Sequence, residues 1–320
     1  MPRHVGVVFV HGILGNQFDF AAKMEDKLRQ RLPTTLQDFI HSRSVFWAGT
    51  VREHQRDYFG RARTTGHIWH NRLRRYVIEG LGDAAAYQKT RFLKNSVYYA
   101  VQQLITSKVK SLEARGRENS PLILIGHSLG CHVISSYLWD LNKLMQRTEV
   151  EIKQQEDPEA QALWYELKDA SPLRRLKTLA GVTLGDNMPM FTFTFGPDAV
   201  YPITSRVQLL SGQIVEPAFP GEELPQALRK QARWLNYYSK TDLLGFPLKA
   251  FNDDYRNSEK IFDICVSSES PWFIPYFWCL LAHTRYWTNR TVLDGTAQLI
   301  RDIVETPAEP MTPADAAVSG

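Results

Sequence analysis

The chain has 320 residues, 43% of them hydrophobic and 22% charged, and a formal net charge of +4. That is globular composition with length enough for one large core, and so mild a charge argues against a dedicated nucleic-acid binder. Its cysteines, Cys131, Cys265 and Cys279, are odd in number and widely spaced, so they indicate neither a disulfide framework nor a thiolate zinc site.

The first element is "VGVVFVHGI" at 5–13, β-branched and almost continuously apolar, as expected of a strand covered on both faces. The apolar run there is only about five residues, too short for a secretory core. Residues 18–32 carry apolar residues at helical spacing and end at Pro33. "SVFWAGT" at 44–50 reads as the next strand, and 94–115 as a long amphipathic helix with Val97, Val101, Leu104 and Ile105 on one stripe. "LILIG" then predicts a strand and 130–146 a helix. Three more strands are expected at 175–185, 233–242 and 260–268, and a last helix at about 291–305. Strands alternating with helices imply an α/β protein with a parallel sheet and right-handed crossovers. "WFIPYFWCLLA", before His283, falls far short of the ~20 residues that span a bilayer. The expectation is a soluble, cytoplasmic protein of one domain at 1–305.

Two stretches exceed simple crossovers: 51–93, rich in Arg, His and Tyr, and 187–232, with several Pro and Gly. Both are candidate cap or lid insertions, surface decoration being the alternative. Gly80 and Gly82 mark a candidate hinge in the first. Residues 306–320, rich in Pro and Ala, predict a disordered tail.

The chemistry concentrates at "GHSLG", residues 126–130, a Gly-x-Ser-x-Gly motif that closes a strand and opens a helix. A reversal that sharp lifts Ser128 out of the sheet edge and crowds the positions two residues on either side, hence the glycines. It also sets Ser128 at a helix N-terminus, where backbone N–H groups point at the space above the hydroxyl, and the Leu129 N–H is a natural oxyanion donor.

The chain resembles the α/β-hydrolase superfamily, in its lipase/esterase-like branch. The resemblance runs over about 4–305 as an order of elements and rests on "GHSLG", on "VVFVHGILGN" near the N-terminus and on "TLGDNMP" at 183–189. It implies an α/β-hydrolase fold: a mostly parallel central sheet of about six strands, flanked by helices, without the family's first two strands. It implies that the Ile13 N–H is the second oxyanion donor, and that His11 orients its loop. Where relatives carry a further glycine after the serine motif, this chain has Cys131.

A serine hydroxyl needs an imidazole base, and the base needs a carboxylate to fix its tautomer. In this fold the order is Ser, acid, His. Only His132 and His283 follow Ser128. His132 lies one turn up the same helix and reads as a packing residue, which leaves His283 as the base. Asp242 matches the family's acid after the penultimate strand, and Asp186, after the strand before, is the second candidate. The expected activity is cleavage of a carboxylic ester, first of all a lipid ester, through an acyl-enzyme and without cofactor or metal. A thioesterase, acyltransferase or peptidase with the same triad, or a non-catalytic binding protein, is the alternative. The arginines of 52–75 suggest peripheral contact with an anionic membrane, a solvated basic face being the competing reading.

Overall fold

A computed structural model of the chain describes residues 2–13, 18–66, 69–87, 97–113, 120–154, 158–169, 178–192, 200–208, 212, 214–220, 224–267 and 282–306. Eight strands are found among them: β1 (Val5–Val10), β2 (Ile40–Val45), β3 (Leu122–His127), β4 (Thr178–Leu184), β5 (Val207–Gln208), β6 (Ile214–Val215), β7 (Arg233–Tyr238) and β8 (Ile261–Cys265). Six form one sheet in the order β2-β1-β3-β4-β7-β8, with every neighbouring pair parallel. β5 and β6 form a separate antiparallel pair. The longer helices are α1 (Ala22–Arg31), α2 (Gly49–Gly66), α3 (Asn71–Ala86), α4 (Val97–Lys110), α5 (Leu129–Met145), α6 (Pro158–Lys168) and α7 (Arg290–Glu305). The architecture is α/β, a six-stranded parallel sheet flanked by helices, compatible with the α/β-hydrolase fold expected from the sequence. No helix among the described residues is long and apolar enough to cross a membrane.

Burial explains why the central strands were readable. Every residue of β1 and of β3 is buried, so both strands are covered on both faces and stay apolar throughout. α7 turns Val292, Leu293, Leu299, Ile300, Ile303 and Val304 inward, and the Asn289 side chain caps its first turn by accepting from the Val292 N–H. α1 packs against α7.

The sheet's edge departs from expectation. The strand expected at 44–50 is β2, at Ile40–Val45, and only its two end residues are buried. An edge strand of such polarity carries little alternating signal. The apolar residues beyond it leave the sheet: Trp47 is fully buried against the β1 loop and α2 begins at Gly49.

Insertion 51–93 folds, as far as 87, into the α2–α3 helical hairpin. Arg52 anchors it from within, with guanidinium nitrogens 2.8 Å from Glu79 and 3.7 Å from Asp83. Gly80 and Gly82 do not form a hinge. Both lie inside α3, and Gly82 leaves room for the Gln55 side chain of α2, which donates to Asp83 at 2.8 Å. Insertion 187–232 holds the short helix Met188–Thr192, the β5–β6 pair and the short helix Gln226–Arg229. The tail beyond 306 and the aromatic stretch at 268–281 lie outside the described residues.

Candidate active site

The sheet is wound so that β2 lies on one side of β1 and the strands from β3 onward lie on the other. The β1–β3 junction is therefore the topological switch point, where parallel sheets open a crevice at the strands' C-terminal ends. Ser128 sits directly after β3 at that junction, and the His11–Ile13 loop directly after β1.

Ser128 has φ 54° and ψ −127°, a left-handed conformation that a non-glycine residue holds only when its surroundings impose it. Its N–H donates to the Leu184 carbonyl at 3.0 Å, and its own carbonyl accepts from the Cys131 N–H at 2.9 Å, which begins α5 at once. A Cβ on Gly126 would lie 2.8 Å from the Gly130 oxygen, and one on Gly130 would lie 2.3 Å from the Val10 oxygen. Neither carbonyl can move without breaking the sheet or the helix, so the motif's glycines follow from close backbone approach. Leu129 opens α5, and its N–H belongs to the first turn, which lacks intrahelical acceptors.

The loop after β1 is held by His11. Its Nδ1 donates to the Gly12 carbonyl at 2.5 Å, its Nε2 accepts from the Trp47 N–H at 3.1 Å, and its ring stacks on Trp47 at 4° between planes. Burial lowers its pKa to about 4, so it is neutral and serves as scaffold. Gly12 thereby lies against Ser128, with Ile13 next in the loop.

Asp242 lies in the turn after β7. Both its carboxylate oxygens face His283 Nδ1, at 3.0 and 2.9 Å. The Leu244 N–H donates to Oδ1 at 2.9 Å and the Tyr286 hydroxyl to Oδ2 at 2.8 Å. Burial opposes the charge, but His283 and these two donors outweigh it and hold the carboxyl below its ordinary range. The Tyr286 phenol is pushed up, by burial and then by the Asp242 charge, and so remains an O–H donor. With Nδ1 donating to the carboxylate, His283 Nε2 carries the free lone pair. That atom is buried and makes no hydrogen bond, and the same holds for Ser128 Oγ. No hydrogen bond joins Ser128 Oγ to His283 Nε2, and both atoms are buried without a partner.

A polar network fixes the turn that carries Asp242. Asn236, in the middle of β7, accepts from the Thr183 hydroxyl and donates to the Phe246 carbonyl and to Asp263 of β8, at 2.8, 3.0 and 2.7 Å. Asp263 accepts in turn from the Leu248 and Lys249 N–H groups. The turn that carries Asp242 is thereby tied to the two strands beneath it.

Of the two acid candidates, the structure brings Asp242 and not Asp186 to His283. Asp186 is fully buried after β4, accepts from the Met188 N–H at 2.8 Å and leaves Oδ2 without a partner. Burial raises its pKa to about 7. His132 stacks on Phe191 at 5.0 Å and meets Tyr87 edge-on, as a packing histidine does. Tyr286 and His127 (which contacts the His283 carbonyl) carry no sequence signal of their own, although each lies within three residues of a predicted site residue. Among the described residues, no group of three or more His, Cys, Asp or Glu is arranged to hold a metal ion.

Fold and site together define a class: an α/β protein with a serine on a strained strand-to-helix turn and an aspartate–histidine pair at the same edge of a parallel sheet. The chain matches no known family model and no curated protein.

Proposed function

We propose that the chain is a serine hydrolase of the α/β-hydrolase superfamily, cleaving a carboxylic ester through an acyl-enzyme. The observation that carries this reading is the His283 ring: Nδ1 is committed to a carboxylate and Nε2 is left with a free lone pair, at the sheet edge that bears Ser128. In that reading Nε2 takes the Ser128 proton as Oγ attacks the ester carbonyl. The Ile13 and Leu129 N–H groups stabilise the oxyanion. The protonated His283 then passes the proton to the leaving alcohol, and a water activated by the same Nε2 releases the acid.

A fluorophosphonate is expected to form one adduct on the folded protein, on the peptide containing Ser128, as read by mass spectrometry. No adduct on folded protein would leave a non-catalytic binding protein as the better reading. Among ester substrates a lipid ester is favoured. Hydrolysis of p-nitrophenyl esters should then rise with acyl length, and preference for the shortest chains would defeat the lipid assignment.

The α2–α3 hairpin supports a second element of this reading, contact with an anionic membrane surface. Arg56, Arg61 and Arg63 are exposed and have no carboxylate partner among the described residues, and Tyr58, Trp69, Val77 and Leu81 are exposed on the same hairpin. Cosedimentation with phosphatidylserine vesicles should exceed that with phosphatidylcholine and weaken with salt. Replacing the three arginines by glutamine should cost about 1 kcal/mol of binding per charge. Equal binding to both vesicle types would remove the membrane from the proposal.

A further inference from the structure

His127 is the second residue of the Gly-x-Ser-x-Gly turn, and the reaction outlined above leaves it unused. It ends β3, is buried, and its Nε2 lies 2.6 Å from the main-chain oxygen of His283. A carbonyl oxygen only accepts, so Nε2 carries the proton and donates it. The His127 ring packs on the His283 ring at 4.9 Å between centroids, on Trp287 at 5.3 Å and on Tyr286 at 6.3 Å. Burial first, and then the neighbouring His283, lower its pKa to about 3. Its donor is therefore present, and its ring neutral, wherever the protein is folded near neutral pH.

Among the described residues, the other hydrogen-bonded hold on His283 is the one where Nδ1 meets Asp242. A grip on a ring nitrogen fixes the tautomer and acts on the ring, not directly on the backbone that carries it. The second grip acts on that backbone, and it comes from the residue adjacent to the nucleophile. We propose that His127 is a positioning residue: its Nε2–H bond to the His283 carbonyl ties the base to the end of β3 and so sets the separation between His283 Nε2 and Ser128 Oγ. The inference rests on the hydrolase reading above and adds to it a determinant of the Ser–His geometry.

Two substitutions separate this role from packing. His127→Phe keeps an aromatic ring and removes the donor. His127→Gln returns an amide N–H at about the reach of Nε2. A misplacement of about 1 Å can cost a reaction about 100-fold, so the Phe variant is expected to lose about 10- to 100-fold in kcat with KM little changed. The Gln variant should regain most of that loss while melting no higher than the Phe variant. A folded Phe variant with wild-type kcat, or a Gln variant no better than Phe, would overturn the proposal. Imidazole nitrogen NMR of the wild type gives a readout independent of turnover: His127 should be the neutral Nε2–H tautomer, and an Nδ1–H tautomer would overturn the tether even if the Phe variant fails to fold. A wild type that forms no fluorophosphonate adduct overturns the hydrolase reading itself. That outcome is distinct from an adduct-forming enzyme indifferent to residue 127.

Discussion

Asp242→Asn is expected to lower kcat for ester hydrolysis by about 10⁴-fold, whereas Asp186→Asn should leave it near the wild-type value. The difference follows from donors. Asp242 receives three: His283 Nδ1–H, the Leu244 N–H and the Tyr286 hydroxyl. An amide has one acceptor oxygen. In the Asp242→Asn variant one of the two oxygens facing His283 Nδ1 becomes an NH2, which can donate to Nδ1 when the ring carries its proton on Nε2, so the amide favours that tautomer. Nε2 then has no lone pair to offer a serine. The Asp186 carboxylate accepts from the Met188 N–H and makes no hydrogen bond to His283, so its amide changes nothing in that set of donors. Equal losses in the two variants would remove Asp242 as the acid.

The same two carboxylates have opposite signs in their effect on stability. Asp242 is held below its ordinary pKa, so its contribution is present above the unfolded value and is lost as pH falls through the folded one. Asp186 is raised to about 7, so the folded state is favoured when it is protonated and is penalised as pH rises toward that value. Asp186→Asn removes that penalty. Relative to wild type, the variant should gain on the order of 2 kcal/mol between pH 5 and pH 8, at 1.36 kcal/mol per pKa unit. Urea midpoints at the two pH values measure it, and a gap that does not widen would contradict the burial argument.

The interior of the fold was legible because its physics is one-sided. β1 and β3 are buried throughout, and a strand covered on both faces can only be apolar. The elbow was legible because Gly126 and Gly130 answer a steric demand that few other sequences meet. The edge was not legible. β2 exposes His41, Ser42, Arg43 and Ser44 in part, and the aromatic residues that suggest a strand at 44–50 serve another purpose, Trp47 clamping His11. Asp242 and Asp186 look alike in the sequence, since each follows a strand by a few residues. What separates them is the set of donors converging on one carboxylate, and two of those come from residues 41 and 44 positions further along the chain. Asn236 reads as a flaw in an apolar strand until Asp263 and the Phe246 carbonyl are seen to use it.

Gly12→Ala is expected to fold and to lose about 10²- to 10³-fold in kcat, the effect of withdrawing one oxyanion donor. A Cβ at residue 12 would stand 2.5 Å from Ser128 Cβ and 2.8 Å from the His127 oxygen. Neither is the far end of a flexible side chain: one is the first side-chain atom of Ser128 and the other belongs to the main chain of β3. The loop after β1 must yield instead, because His11 attaches it to Trp47 through side-chain hydrogen bonds and ring stacking and not through a strand ladder. In the proposed reading the withdrawing loop carries the Ile13 N–H away from the oxyanion, while the hydrogen bonds between Asp242 and His283, which involve no residue of that loop, are kept. Overpacking of this kind costs about 1–3 kcal/mol of stability, which denaturant melts would register. The signature is a selective one: fluorophosphonate adduct formation and ester turnover both fall, yet the pH dependence of what remains keeps the wild-type base. If Gly12→Ala turned over at the wild-type rate with its fold intact, the loop after β1 would have no share in the chemistry, and the oxyanion would have to be stabilised from the α5 terminus alone.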